Sequence, residues 1–235
     1  MNIAIVLAGG TGTRLGADIP KQYIEVRGKK IISYVLETLS ASDDIDGIRI
    51  VCEDMWQDII NRDDAGCMDK KFMGYSRPGA NRQLSILSAL CDIRLDIDNH
   101  RYEEINSYDG VNVMIHDAAR PMLTKALIHS CFENLAGHDG VMPVLPMKDT
   151  IYMSEDGRSI SKTLKREQLF AGQAPEVFAF NKYYRACESL LPDKILQING
   201  SSEPAIMAGL DIVMIPGDEN NYKITTFEDL ERFKL

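Results

Sequence analysis

No apolar run in this 235-residue chain comes near the roughly 18 residues that a membrane-spanning helix requires. The first residues also lack the basic region, apolar stretch and small-residue cleavage site of a secretory leader. The expectation is therefore a cytoplasmic protein with no membrane partner. Cysteine is sparse. Cys52, Cys67, Cys91, Cys131 and Cys187 are scattered with no Cys-x-x-Cys pair. That excludes a disulfide framework or zinc ribbon and reads as reduced thiols serving as small buried hydrophobes. There is no Gly-x-Ser-x-Gly, no Cys/His nucleophile arrangement, no internal repeat and a single Trp. Positive charge is in deficit, with 26 Lys and Arg against 35 Asp and Glu and a formal net charge of -9. A polyanion would be repelled outside any local basic pocket, which argues against a nucleic-acid partner.

What is present is a regular alternation. Apolar, β-rich runs at residues 3–7, 48–52, 72–75, 111–115, 140–146 and 212–215 are separated by helical periodicity near 31–39, 55–61, 82–95 and 125–135. With 45% hydrophobic residues the chain can bury a sizeable core. The alternation predicts one α/β domain over residues 1–235, built on a doubly wound, mainly parallel, Rossmann-like sheet. Ligands on such sheets bind beyond the carboxyl ends of the strands. The loops after Tyr75 and Ile115 should therefore approach the loop after the first strand. Residues 147–170 break the rhythm. Thr150-Ile151-Tyr152-Met153, a turn at Asp156-Gly157, and Ser159-Ile160-Ser161-Lys162-Thr163 predict a protruding β-arm hairpin. A hairpin of that size cannot hold a core alone, so a second subunit is the simplest surface for it. Thr225-Thr226, with Glu228 and Asp229 behind it, predicts the start of a last helix.

The first strand runs into Ala8-Gly9-Gly10-Thr11-Gly12-Thr13-Arg14-Leu15-Gly16, then Pro20-Lys21-Gln22. Glycines let backbone N–H groups converge on phosphate oxygens. Arg14 and Lys21 place full positive charge where a phosphorus centre becomes more negative. This is neither a Walker A loop, which ends in Lys-Ser/Thr, nor the dinucleotide fingerprint, whose third glycine is replaced by Leu15. His116-Asp117-Ala118-Ala119-Arg120-Pro121 follows the fourth strand run. Asp117 there could orient Mg²⁺, directly or through water, and Arg120 could clamp a phosphate; a capping Asp with a surface Arg fits the same residues. Gly79-Ala80-Asn81-Arg82-Gln83-Leu84-Ser85 opens a helix, where Gly79 allows close backbone approach to a base and Ser85 offers a hydroxyl. Lys148, Thr150, Lys165, Arg166 and Lys223 have no obvious mates in sequence. His116 reads as a hydrogen-bonded core residue and Trp56 as a packing residue.

Taken in order, Leu-Ala-Gly-Gly-x-Gly-Thr-Arg-Leu-Gly, Pro20-Lys21-Gln22, Gly79-x-x-Arg82-x-x-Ser85, His116-Asp117-Ala118-Ala119-Arg120-Pro121, Lys148-Asp149-Thr150 and Lys223-Ile224-Thr225 resemble the cytidylyltransferases that act on sugar-alcohol phosphates. The resemblance is to the 2-C-methyl-D-erythritol 4-phosphate and ribitol-5-phosphate branches, and it spans nearly the whole chain. It implies transfer of CMP from CTP to a polyol phosphate, with Mg²⁺ and release of pyrophosphate. Ala119 and the Lys148-Asp149-Thr150 run are more similar to the first branch, so the acceptor implied is methylerythritol 4-phosphate, for isoprenoid precursor synthesis, with ribitol 5-phosphate, for wall or capsule polymers, as the alternative. By position it implies Arg14, Lys21 and Lys223 on the phosphates, and Ala8, Gly9, Gly10, Gly12, Thr13, Gly79 and Ser85 at the nucleotide. Asp117 and Arg120 fall on the acceptor side, with Asp117 also counted at the nucleotide and the metal. Thr150 and Arg166 match residues that reach from a β-arm into the partner's site, which implies a homodimer. One departure is plain: Ile198-Asn199-Gly200-Ser201-Ser202-Glu203-Pro204 lacks the family's Thr-Asp pair. Two other readings stay open, an NDP-sugar nucleotidyltransferase and a non-catalytic nucleotide-binding protein.

Overall fold

The structure is a computed structural model that describes residues 1–10, 19–68, 71–102 and 107–235. Its first half runs β1 (Asn2–Leu7), β2 (Glu25–Val26), β3 (Lys29–Lys30), α1 (Ile31–Ser40), β4 (Gly47–Val51), α2 (Asp54–Met68), β5 (Phe72–Ser76) and α3 (Arg82–Asp98). There follow β6 (Asn112–Asp117), α4 (Lys125–Glu133), β7 (Gly140–Pro146), β8 (Tyr152–Met153), β9 (Lys162–Thr163), β10 (Phe170–Gly172) and β11 (Glu176–Ala179). The chain closes with α5 (Phe180–Glu188), α6 (Glu203–Met207), β12 (Ile212–Pro216) and α7 (Phe227–Lys234).

Among the described residues eight strands make one sheet, in the order β10-β7-β11-β6-β1-β4-β5, with β12 paired to β7. β6, β1, β4 and β5 run parallel, and so do β7 and β12. The residues of β1 show why helices cover both faces. Ile3, Ala4, Ile5 and Val6 are all fully buried. Because successive strand side chains point to opposite faces, Ala4 and Val6 pack with Ile32, Leu36 and Ile128 from α1 and α4. Ile3 and Ile5 instead pack with Ile86, Leu90 and Tyr183 from α3 and α5. An unbroken apolar run is what a strand needs when water reaches neither face. Burying each of its isoleucines contributes about 1.5–3 kcal/mol.

The expected strands and helices are all present, and β2, β3, β10, α5 and α6 form besides them without having been predicted. β6 extends through His116 and Asp117, because β1 pairs with it as far as Leu7 opposite Asp117. β11 lies antiparallel between β6 and β7 and was not foreseen; its four residues carry too little pattern to read. The arm forms as expected, but its ladder is short, Tyr152 opposite Thr163 and Met153 opposite Lys162. Its turn is closed by Asp156, whose carboxylate accepts from the backbone N–H groups of Arg158 and Ser159, with Gly157 at φ +70°. The last helix starts as predicted, in a capping box between Thr226 and Asp229. Among the described residues no helix is long and apolar enough to cross a membrane.

Candidate active site

The site begins where β1 releases the chain. Ala8 N–H donates to the Val51 carbonyl at 2.8 Å, which keeps the loop on the end of β4. Gly9 then passes the segment after β5 so closely that a Cβ would lie 2.5 Å from Cβ of Pro78. A Cβ on Gly79 would lie 2.4 Å from that of Leu84. Both positions require glycine, Gly9 because the rigid Pro78 ring fills the space of a side chain and Gly79 because the backbone of Leu84 and Ser85 does. Ser85 locks the second approach: its Oγ accepts from Gly79 N–H at 3.0 Å and donates to the Asn81 carbonyl at 2.9 Å. Asn81 in turn caps α3 by accepting from Leu84 N–H at 2.8 Å. The Ser85 proton is therefore committed to the turn, and the hydroxyl faces a ligand only as an acceptor.

Asp117, at the carboxyl end of β6, is the electrostatic centre. Arg82, the first residue of α3, donates to its Oδ1. Its Oδ2 lies 3.1 Å from Lys223 Nζ and 3.4 Å from Arg120 Nε. Burial alone would push this carboxyl up, but Arg82, Lys223 and Arg120 outweigh it and hold the group well below the usual carboxylate range. Lys223 is delivered by its own backbone: Ile224 N–H donates to the Ala119 carbonyl at 2.9 Å, and buried Asn221 donates to Ala174 O at 2.7 Å. Behind Arg82 sits a second carboxylate. Glu176 is buried on β11; Ser201 Oγ donates to it and accepts from Arg82 Nη2 at 3.3 Å. Burial pushes the Glu176 carboxyl up against the opposing Ser201 bond, and its Oε2 has no hydrogen-bond partner among the described residues.

Arg82, Asp117 and Lys223 face one cavity of about 580 Å³, a volume suited to a small-molecule ligand. Gly9, Gly10, Lys21, Gly79, Ser85, Asp117 and Lys223 all line it. Ala8, expected at the nucleotide, does not line it: it is buried, with its N–H on the Val51 carbonyl and its own carbonyl accepting from Gln22 and Tyr23. Gly12, Thr13 and Arg14 lie outside the described residues. Arg120 does not line the cavity, so the phosphate clamp expected of it is not formed here. Its guanidinium is 14% exposed and turned inward, with Nη1 donating to Asn221 O at 2.8 Å, because buried Asp117 draws it in. Thr150 and Arg166 stand on the arm, exposed and away from this cavity, and Arg166 Nη1 donates to Lys148 O at 2.9 Å.

Mg²⁺ does not fit at Asp117 in this arrangement. Both carboxylate oxygens already hold cations, and a divalent ion would meet Arg82, Lys223 and Arg120 together. Among the described residues no group of three His, Cys, Asp or Glu side chains is placed to hold a metal.

His116 is fully buried, bonded through Nε2 to the Arg120 carbonyl at 3.2 Å, and burial lowers it to about 4. It stays neutral at pH 7, in line with a core role. Trp56 stacks on Tyr23 at 4.2 Å. Burial raises the thiols of Cys52, Cys131 and Cys187 to about 12, so they are inert. Arg82, Glu176, Ser201 and Asn221 were not singled out as site residues from sequence. Arg82 had a signal, since it shares a motif with Gly79 and Ser85. Glu176 and Ser201 had none, because their partners are distant in the chain.

Set against known proteins, residues 2–234 match the family model described as 2-C-methyl-D-erythritol 4-phosphate cytidylyltransferase. A protein of that name from Rubrobacter xylanophilus is 32% identical over 231 residues, covering 97% of this chain and 91% of its own. Another from Clostridium beijerinckii is 31% identical and covers 97% of this chain and 94% of its own. A crystal structure of 4-diphosphocytidyl-2C-methyl-D-erythritol synthase from Anaerococcus prevotii superposes with a TM-score of 0.81 at 25% identity. It covers 99% of this chain and 94% of its own.

Proposed function

This chain belongs to the 2-C-methyl-D-erythritol 4-phosphate cytidylyltransferase family, and from that premise we propose that it transfers CMP from CTP to 2-C-methyl-D-erythritol 4-phosphate. The observation that carries the reading is the convergence of Gly9, Gly10, Lys21, Arg82, Asp117 and Lys223 on one cavity beyond the carboxyl ends of β1 and β6. The acceptor's phosphate oxygen attacks the α-phosphorus of CTP in line. A new P–O–P bond forms, the bond between the α-phosphorus and its bridging oxygen breaks, and pyrophosphate leaves with that electron pair.

A phosphate dianion needs no general base, and neutral, buried His116 supplies none. Catalysis then rests on positioning and charge. Lys21 and, by resemblance, Arg14 neutralise the triphosphate as negative charge moves onto the leaving group. Lys223 and Arg82 present the opposite, cationic wall, and Asp117 keeps both in register until anionic substrates arrive. Gly79 brings a backbone edge to the base, and the free lone pair of Ser85 can accept from an amine such as the cytosine 4-amino group. Mg²⁺ that accompanies CTP is a partner of the triphosphate rather than of Asp117. The same reading makes the protein a cytoplasmic homodimer, in which the arm carries Thr150 and Arg166 into the partner's site. Its support is the apolar surface the arm leaves open: Tyr152, Met153, Ile160 and Phe170 are 42–65% exposed.

Pyrophosphate release from CTP and Mg²⁺ tests the proposal, with methylerythritol 4-phosphate and ribitol 5-phosphate run in parallel. Turnover with the first is expected. Preference for ribitol 5-phosphate would overturn the acceptor assignment, and CTP binding without turnover on either would overturn the activity.

A further inference from the structure

Gln22 is only 3% exposed, and both protons of its amide go to the glycine loop. Its Nε2 donates to the carbonyl oxygen of Ala8 at 2.6 Å and to that of Gly10 at 2.8 Å. Tyr23 Oη adds a third donor, to Ala8 O at 3.2 Å. The need for these donors follows from the loop's task. A loop that aims N–H groups at phosphates turns carbonyls back into the protein, where burial without a donor is unfavourable.

The donors sit on the segment that also carries Lys21. Lys21–Tyr23 forms one 3-10 turn, preceded by Pro20, and Lys21 faces the cavity. The far end of the turn is anchored in the core, where Tyr23 is 2% exposed and stacked on Trp56. Lys21 is thus held between an aromatic anchor and an amide that grips the loop. Moving Gln22 would shift the ammonium of Lys21 relative to the backbone of Gly9 and Gly10.

We propose that Gln22 is a positioning residue for the transfer: it sets the distance between the Lys21 ammonium and the glycine-loop amides, and acts on the reaction through Lys21. This rests on the role given to Lys21 above. A residue that only satisfied buried carbonyls would affect stability and would act independently of Lys21.

A double-mutant cycle separates the two, with Gln22→Glu and Lys21→Ala made singly and together in the full chain. Each is followed by pyrophosphate release at saturating CTP and methylerythritol 4-phosphate. Gln22→Glu keeps the side chain's shape and replaces two N–H donors by at most one O–H, so it cannot hold both carbonyls. A displacement of this kind is expected to lower kcat about 30-fold or more. In the Lys21→Ala background the same change should cost less than about 3-fold, since the group it positions is gone. Should Gln22→Glu fail to fold, Gln22→Met runs the same cycle without a new charge. Equal losses in both backgrounds, or a loss below about 3-fold beside the native lysine, would overturn the proposal. Normal turnover in Lys21→Ala would instead overturn the role of Lys21 itself, an outcome read from a different variant.

Discussion

Two buried carboxylates, one bonded to Arg82 directly and the other through Ser201, have opposite electrostatic fates. Asp117 faces three cations and is held ionised, whereas Glu176 meets one hydroxyl and is pushed toward its neutral form. The signs of their linkage to stability differ accordingly. Asp117, with its pKa depressed in the fold, adds stability at neutral pH that is lost as pH falls. Glu176, with its pKa raised, adds stability at acid pH that is lost as pH climbs through its folded value. Glu176→Gln keeps an acceptor for Ser201 and removes the charge. It should therefore raise Tm at pH 8, by about 2–4 °C if the gain is about 1 kcal/mol, and the gain should shrink toward pH 4.5. Thermal unfolding of both proteins across that range checks it, and a difference independent of pH would contradict it. The same residue-scale reasoning explains why Arg120 looked like a clamp in sequence yet points inward. A surface arginine and a buried partner cannot be told apart until the burial of Asp117 is known.

At the scale of elements, the site is built from ends rather than bodies: the end of β1, the start of α3, the end of β6 and the connection at Lys223 between β12 and α7. These meet because Gly9 lets the loop after β1 touch Pro78 in the loop after β5, while Gly79 lets that second loop fold against the first turn of α3. Gly9→Ala and Gly79→Ala each force a Cβ into contact below 3 Å with a rigid neighbour, Pro78 or Leu84. Overpacking of this kind costs about 1–3 kcal/mol. Both variants should unfold at lower temperature and bind CTP more weakly in calorimetry; native stability and affinity in either would show that the contact has slack. Elements also mark where pattern reading stopped. Long periodic runs such as α3 were legible because many residues repeat one signal. β11 was not, because four residues between an arm and a helix carry no periodicity, and its antiparallel direction depends on the connection through the arm. His116 and Asp117 were read as a loop for a related reason: strand length here is set by the neighbour β1, not by β6's own residues.

For the whole molecule, the open question of assembly becomes a matter of surface. The arm holds a two-residue ladder, and a hairpin that small is marginal in water without something to pack against. Ile160, 65% exposed, lies on it. On the proposed pairing through the arm, replacing it with Asp should convert a dimer to monomer in sedimentation velocity and lower turnover together, since Thr150 and Arg166 would no longer reach a partner. A wild-type monomer, or a variant that remains dimeric and fully active, would remove the arm from the site.

Composition, alternation and the glycine loop were enough to determine a doubly wound α/β chain with a phosphate-handling end, because periodicity and loop chemistry are local properties of consecutive residues. The ordered motifs likewise carried Lys21, Gly79, Ser85, Asp117 and Lys223 into the site, and all five line the cavity. Tertiary structure alone decided that Arg82, Arg120 and Lys223 share one carboxylate and that this carboxylate is unsuited to a metal. It also decided that Glu176 and Ser201 stand behind Arg82 and that Gln22 grips the loop. Each of these depends on burial and on partners brought together from distant parts of the chain. Desolvation acts on a group according to what surrounds it in space, and that arrangement exists only once the sheet has closed.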